Sequence, residues 1–539
     1  MTFQLTKKSG KSSRKWVWLF AVIVMVVTSI PYMVGFASQG ESWRFTGFVF
    51  GVEDGNSYIA KMLRGSAGEW LFRSPYTAVR QKGVIAFLPY LLLGKLAVLP
   101  IKDHVQLVIL FHMFRFLAGI AMIFATYDFL SIYIRKEAWR RWALAIITLG
   151  GGLGWVLILF GKVKWLGSLP LDLTSPESFG FLAIYGLPHL ALARAFLLWG
   201  LRAFLIGYKI YIPGLCLLAL GLFQPLDILI AWIVMGVYIL LTSMEAMLSG
   251  DSLKLVDWFS LQRNACWFIT TLFISSPMVI YTFIRFRVDE YLRAWTAQNQ
   301  IISPHPAHYL LAYGLMGVFV VLGVNQIRKE FPDFGWLLIG WVGVLPILVY
   351  FPTVIQRRLA EGVWAAIVIL AVKPFTSPDK PLSFRWTYSW IFAFPTTLLL
   401  IVGGIQTAYH PGPPVFRPLE EVESYMELKQ NARIDAVVLS SHVTGNPLPA
   451  WAPVHVVFGH GPETANYERV SEAVKTFYDE ETSQGERVSL IAEYHVDYVY
   501  WGPAEQQLGE WDPELAPYLS VWYEKDPYII YQVNQGVIE

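Results

Sequence analysis

The sequence predicts a mainly α-helical, polytopic membrane protein: a bundle of about eleven transmembrane helices, interfacial helices in its first outer loop, and a small α/β domain at its C-terminal end. Three observations predict it. Of 539 residues, 55% are hydrophobic and 16% aromatic, more than soluble domains carry, and the mean hydropathy is positive. Apolar stretches long enough to cross ~30 Å of hydrocarbon recur along the chain. Beyond Ala408 the composition turns charged and Tyr-rich.

The leader, residues 1–15, contains Lys7, Lys8, Lys11, Arg14 and Lys15, and the apolar run Trp16 to Ala37 follows it. That run is long enough to span, so it reads as an uncleaved signal anchor with a cytoplasmic N-terminus. Further spans are expected at 105–134, 143–160, 182–206, 210–223, 228–247, 265–284, 309–325, 335–351, 359–373 and 386–405, the pair at 210–247 being a hairpin broken near Pro225. The segment 83–100 is apolar but carries Pro89 and Lys95. If it lies flat at the interface, "RKEAWRR" at 135–141, Lys254 with Arg263, Arg328 with Lys329, and Lys373 with Lys380 and Arg385 all fall on the cytoplasmic side. It is therefore read as an interfacial helix within one long outer loop, 38–104. The membrane module is 16–408.

After the stretch "HPGPPVFRPLEEVE", read as a linker, residues 409–539 form an extracytoplasmic α/β domain. "AVVLS", "VHVVF", "VDYVYWG" and "YIIYQV" read as its strands, and "NYERVSEAVKTFYDEET" as an amphipathic helix. A net charge of +2 spread along the chain leaves nucleic-acid binding without a basis. Cys216 and Cys266 both sit in apolar runs, which disfavours a disulfide framework or thiolate metal site. His442, His455 and His460 are irregularly spaced and lack accompanying cysteines, and "GHG" reads as a turn. No metal ligand set is assigned.

The chemistry-bearing stretch is "GVEDGNSYIAKMLRGSAGEWLFRSPYT", residues 51–77. Glu53 and Asp54 are placed where a carboxylate can take a proton from an acceptor hydroxyl at the membrane boundary. The plainer role for Asp54 or Asn56 is to cap the helix at 56–64 and oppose its dipole. With the amphipathic helix and many spans that follow, "EDGNSYIAKMLRGSAGEWLF" resembles the C-type integral-membrane glycosyltransferases (GT-C fold), which include protein O-mannosyltransferases and lipid A aminoarabinose transferases. The resemblance covers the architecture of residues 1–405. It implies a catalytic base among the first-loop acids and two juxtamembrane helices in that loop, here 56–64 and 83–100. The mannosyltransferases show Asp before Glu, whereas here Glu53 precedes Asp54, so both remain candidates for the base.

In "YFPTVIQRRLAEG", Gln356, Arg357 and Arg358 fall at the outer end of a span. Guanidinium groups pair with phosphate oxygens in bidentate fashion, and a polyprenyl-phosphate sugar presents its phosphate at this depth. Snorkelling to headgroups is the alternative for Arg357 and Arg358. Arg293 and Lys61 are further phosphate candidates. The outer loop 285–309 offers Trp295 for stacking on sugar, with Gln298 and Asn299 for hydrogen bonds, and Gln356 joins them. The resemblance also implies a second acid after the third span, for which Asp172 and Glu177 are available, although Ser175 with Pro176 reads as a helix start. His189 and Arg194 lie inside a span, either functional or hydrogen-bonded in the bundle.

These readings converge on an inverting glycosyltransferase of the cell membrane. Its partners are a polyprenyl-phosphate sugar donor, membrane lipid, and an acceptor the sequence leaves unspecified. No cofactor is required, and a divalent metal is compatible without being indicated. A transporter or flippase of saccharides, or an envelope scaffold, are the rival classes, but the chain lacks the matched broken half-helices of transporters.

Overall fold

The computed structural model describes residues 11–97, 103–248, 255–376, 381–534 and 536. Leader residues 1–10, residues 98–100 of the expected interfacial helix, and Lys254 and Lys380 lie outside the described residues. The chain divides into two compact units. The first comprises Met1–Ser29, Phe114–Phe283 and Ile301–Gly403, and the second Ile30–Met113, Ile284–Gln300 and Gly404–Glu539.

Among the described residues, eight helices are long and apolar enough to cross a membrane: Ser12–Ser38, His104–Tyr133, Pro188–Ile206, Asp227–Leu248, Ser260–Val288, Ala307–Glu330, Gln356–Thr376 and Phe384–Tyr409. Two shorter apolar helices, Ile212–Gly221 and Gly335–Val349, occupy expected spans. The protein is thus a multi-pass helical membrane protein, as the composition predicts.

One expected span is corrected. Residues 143–160 do not form one helix: Glu137–Leu149 ends at Gly150, and a second short helix runs over Gly154–Leu159. The run "GGGLG" disfavours helix, and the donors freed by the break are satisfied from elsewhere in the first unit. Gly151 N–H donates to the Ala393 carbonyl at 2.7 Å, and Gly154 N–H to Asp172 Oδ2 at 3.1 Å. Arg115, buried within a span, is hydrogen-bonded to neighbouring helices. Its guanidinium donates to Thr28 Oγ1 at 3.0 Å, Ser29 Oγ at 2.6 Å and the Ile184 carbonyl at 3.1 Å.

The second unit contains the first loop and the tail. Its strands β1 (Trp43–Phe45) and β2 (Phe416–Pro418) pair antiparallel. Residues expected to be a linker therefore form this strand and the start of helix Leu419–Asn431. The stretch Val415, Phe416 and Arg417 is too short to be read as a strand without its partner. A five-stranded sheet follows, built from β3 (Val437–Leu439), β4 (His455–Val456), β5 (Tyr498–Trp501), β6 (Leu519–Lys525) and β7 (Tyr528–Val533) in the order β4-β3-β5-β7-β6. β3 is parallel to β4 and β5, while β7 is antiparallel to β5 and β6. Helix Tyr467–Tyr478 packs Val470, Val474, Phe477 and Tyr478 into the core beneath the sheet. In the first loop, helix Val52–Ser66 crosses the eight-residue helix Leu88–Lys95, which is too short to span.

Candidate active site

Helix Val52–Ser66 begins at Gly51, in a left-handed conformation and without any side-chain cap, and places Glu53 and Asp54 in its first turn. The capping expected of Asp54 or Asn56 is therefore absent, although the acids still oppose the helix dipole. Asn56 instead donates to Asn446 Oδ1 at 2.8 Å. What meets the two carboxylates is a pair of histidines from the tail. His442 Nε2 lies 3.5 Å from Glu53 Oε1, and His460 Nε2 lies 3.4 Å from Asp54 Oδ1. Gly461 N–H donates to Glu53 Oε1 at 2.8 Å.

The histidines are brought to one side by a backbone approach. A Cβ on Gly445 would stand 1.9 Å from the Phe458 carbonyl oxygen, and one on Gly459 would stand 2.3 Å from the Gly445 carbonyl oxygen. Only glycine permits the short helix His442–Gly445 to lie against the 459–461 turn. His460 is buried against the Tyr76 ring, 5.3 Å away between centroids. Its Nδ1 accepts the Glu463 N–H at 3.4 Å, which in the neutral ring leaves the proton on Nε2.

Beneath this pair sits a buried ion pair. Lys61 Nζ is 2.6 Å from Glu463 Oε1, with side chains 1% and 5% exposed. Ser57 Oγ donates to the same oxygen at 2.6 Å, and Ser74 Oγ to Glu463 Oε2 at 3.0 Å. Burial works to raise the Glu463 carboxyl, but the Lys61 and His460 charges hold it down to about 2. Burial likewise opposes the ionised forms of Asp54 and Glu53, yet both are lowered: Asp54 by His460 and Lys61, Glu53 by His442, His460 and the Gly461 N–H. His460 is raised despite burial, because Asp54, Glu463 and Glu53 surround it. The outcome is two ionised carboxylates whose side chains are 46% (Glu53) and 59% (Asp54) exposed, each beside a histidine ring. That is the form in which a carboxylate accepts a hydroxyl proton.

Several expected contacts fall elsewhere. Lys61 is committed to Glu463 and sealed beneath the Phe87 ring at 4.3 Å, so it is not placed to meet a phosphate. Gln298 spends both ends of its amide on backbone: Nε2 donates to the Thr464 carbonyl at 2.7 Å, and Oε1 accepts Tyr467 N–H at 2.9 Å. Asn299 ends helix Glu290–Gln298, and Trp295 packs edge-on against Phe286 at 5.5 Å. Arg293 is exposed on that helix. His455 belongs to another cluster, 2.8 Å from Arg64 Nη2 and 3.4 Å from Asp435. Among the described residues no group of three or more His, Cys, Asp or Glu side chains is arranged to hold a metal ion.

In the first unit, Arg357 and Arg358 lie on the 3₁₀ turn Gln356–Ala360. The Nε atoms of both are buried and have no hydrogen-bond partner, while Arg358 Nε is 3.9 Å from Glu177 Oε1. Gln356 Oε1 accepts the Ser303 N–H at 3.0 Å. Asp172 is buried and accepts from Thr396 Oγ1 at 2.6 Å as well as from Gly154, so it closes the helix break rather than facing a ligand. Burial raises its carboxyl against those hydrogen bonds. His189 is partly buried on helix Pro188–Ile206. On that helix Arg194 is buried and bidentate to Glu361, at 2.5 and 2.9 Å, and donates to the Pro176 carbonyl at 2.6 Å. Glu361 and Asp227 were not singled out from the sequence. Both are buried in this cluster, and an isolated acid inside an apolar run is the signal that marks them.

No protein-family model matches the sequence, and no curated protein matches it. Solved structures do. The arabinofuranosyltransferase AftD from mycobacteria aligns at a TM-score of 0.55 and 13% identity, over 96% of this chain and 40% of that one. The apo oligosaccharyltransferase of Archaeoglobus fulgidus aligns at 0.53 and 11%, over 96% and 76%. The oligosaccharyltransferase AglB from the same organism, in complex with an inhibitory peptide and a dolichol-phosphate, aligns at 0.51 and 12%, over 97% and 75%. These neighbours are GT-C glycosyltransferases.

The chain has the GT-C fold.

Within that fold, the first-loop acids Glu53 and Asp54 remain the candidate catalytic carboxylates. The tail histidines His442 and His460 are what sequence reasoning missed. They lie about 400 residues away along the chain, and no local spacing links them to the acids.

Proposed function

We propose that the protein is an inverting membrane glycosyltransferase that moves a sugar from a polyprenyl-phosphate carrier to an acceptor hydroxyl on the outer face of the membrane. One observation carries the reading: a solvent-reaching carboxylate pair at the start of the first-loop helix, each member backed by a tail histidine, in a GT-C chain. Asp54 is the proposed base. It is the more exposed of the two, and His460 faces its Oδ1. Glu53, tied to Gly461 and His442, is the proposed orienting partner.

In this mechanism Asp54 takes the acceptor proton as the hydroxyl oxygen attacks the anomeric carbon, and the lipid phosphate departs with the bonding electrons. In the first unit, Arg357 and Arg358 are proposed as residues that bind a lipid phosphate, since guanidinium groups pair with phosphate oxygens. The dolichol-phosphate bound to AglB supports a lipid-phosphate donor by analogy of fold. Asp54→Asn should abolish transfer while a cooperative thermal unfolding transition is retained. Retained turnover would remove Asp54 as the base and pass the role to Glu53→Gln for testing.

A further inference from the structure

His442 opens a helix of only four residues, His442–Gly445, which has too few internal hydrogen bonds to fix its own orientation. It is gripped at both ends. After its C-terminal end, Asn446 joins it to the first-loop helix. Asn56 Nδ2 donates to Asn446 Oδ1 at 2.8 Å, Asn446 Nδ2 to the Glu53 carbonyl at 3.4 Å, and the Tyr76 hydroxyl to the Asn446 carbonyl at 3.0 Å. Before its N-terminal end stands Glu505, 0% exposed, on the short helix Pro503–Gln506 that follows β5. Its Oε1 accepts the N–H of Ser441, the residue that caps the His442 helix, at 2.8 Å. Its Oε2 accepts the Gly502 N–H at 3.1 Å.

A sealed carboxyl is costly, and burial raises this one against the hydrogen bonds from Ser441 and Thr444. An apolar side chain in its place would leave two buried N–H groups unpaired. The acid thus lets the chain leave β3 at Leu439 and turn into the His442 helix at once. β3 and β5 are parallel neighbours, and the carboxylate ties the chain leaving one to the chain leaving the other. Because the two donors meet different oxygens, an amide, with one acceptor oxygen and one N–H₂ group, satisfies only one of them. The His442 ring, set edge-on to Phe458 at 5.1 Å, is carried from this anchor to Glu53 Oε1.

We infer that Glu505 is a positioning residue for the candidate site: by bridging Ser441 and Gly502 it sets where His442 stands, and through His442 the orientation of Glu53. The inference rests on the proposed role of Glu53, and its test reads the histidine directly, without sugar transfer. In imidazole ¹H–¹⁵N spectra of the full-length protein in lipid nanodiscs, Glu53→Gln should shift the His442 resonances and Asp54→Asn those of His460. In a Glu505→Gln background, close to the parent in side-chain shape, the His442 response should be lost and the His460 response kept. Ser441→Ala, which deletes the cap hydroxyl but keeps the N–H, should keep both. Transfer in Glu505→Gln should fall about ten- to hundredfold, the scale of a small misplacement at a reacting centre. The inference is overturned by a missing His442 shift in Glu53→Gln, or by a His442 response that survives Glu505→Gln. Joint loss of both responses, loss of cooperative unfolding in Glu505→Gln, or loss of the His442 response in Ser441→Ala also overturns it, since each gives Glu505 or the cap a general structural role. A parent protein that transfers no sugar removes the transfer reading alone, and the histidine spectra still decide the positioning.

Discussion

At the scale of single residues, the site depends on charge placed where water is scarce. Lys61 and Glu463 are each nearly sealed, and a buried pair that loses one partner leaves the other uncompensated. Glu463→Ala should therefore destabilise the second unit by about 3–5 kcal/mol, read as a fall in unfolding temperature, while Lys61→Met with Glu463→Leu should recover much of the loss. The pH sign follows from the Glu463 carboxyl, depressed in the fold from 4.5 to about 2. Its contribution is present above the unfolded value and is lost as pH falls from 4.5 towards 2. His460 has the opposite sign. Its pKa is raised, so its share is present below the ordinary value of 6.5 and is lost as pH rises through the folded value. Asp54→Asn removes the leading stabiliser of the protonated ring, and a ¹H–¹⁵N titration of the imidazole should then show the His460 pKa falling.

At the scale of elements, the position of the acids is set by how the first-loop helices cross. A Cβ on Gly94 would lie 1.8 Å from the Met62 carbonyl oxygen, and one on Gly65 would lie 2.1 Å from the Leu91 carbonyl oxygen. The helices Val52–Ser66 and Leu88–Lys95 therefore touch backbone to backbone. Gly94→Ala has no side-chain motion with which to relieve the clash and should cost about 1–3 kcal/mol, with hydrogen exchange rising in both helices. The short helix His442–Gly445 and the 459–461 turn form a second such contact, and Gly459→Ala should separate His442 from Glu53, with a fall in transfer that exceeds the loss of stability.

At the scale of the whole molecule, one compact unit carries Arg357 and Arg358 and the other carries Glu53 and Asp54. The double substitution Arg357→Ala with Arg358→Ala should weaken binding of a polyprenyl-phosphate probe about ten- to hundredfold, as the loss of charged hydrogen bonds worth about 1.5–3 kcal/mol implies. An equilibrium binding assay with that probe measures the effect. Unaltered lipid-phosphate affinity would remove these arginines from the donor site.

The sequence by itself determined the class of this protein, because hydrocarbon solvent imposes long apolar runs that survive any folding detail. It also marked the ED pair, since two acids directly after an apolar helix are conspicuous without a partner. The broken span at Gly150–Gly154 and the strand Phe416–Pro418 were readable only in part, because a glycine run or a three-residue strand acquires meaning from what it pairs with. Tertiary structure alone decided which histidines meet Glu53 and Asp54, that Lys61 faces a carboxylate rather than a phosphate, and that Gln298 braces the Tyr467 backbone. Each of those contacts joins residues more than 160 positions apart, where periodicity carries no information and only packing selects the neighbour.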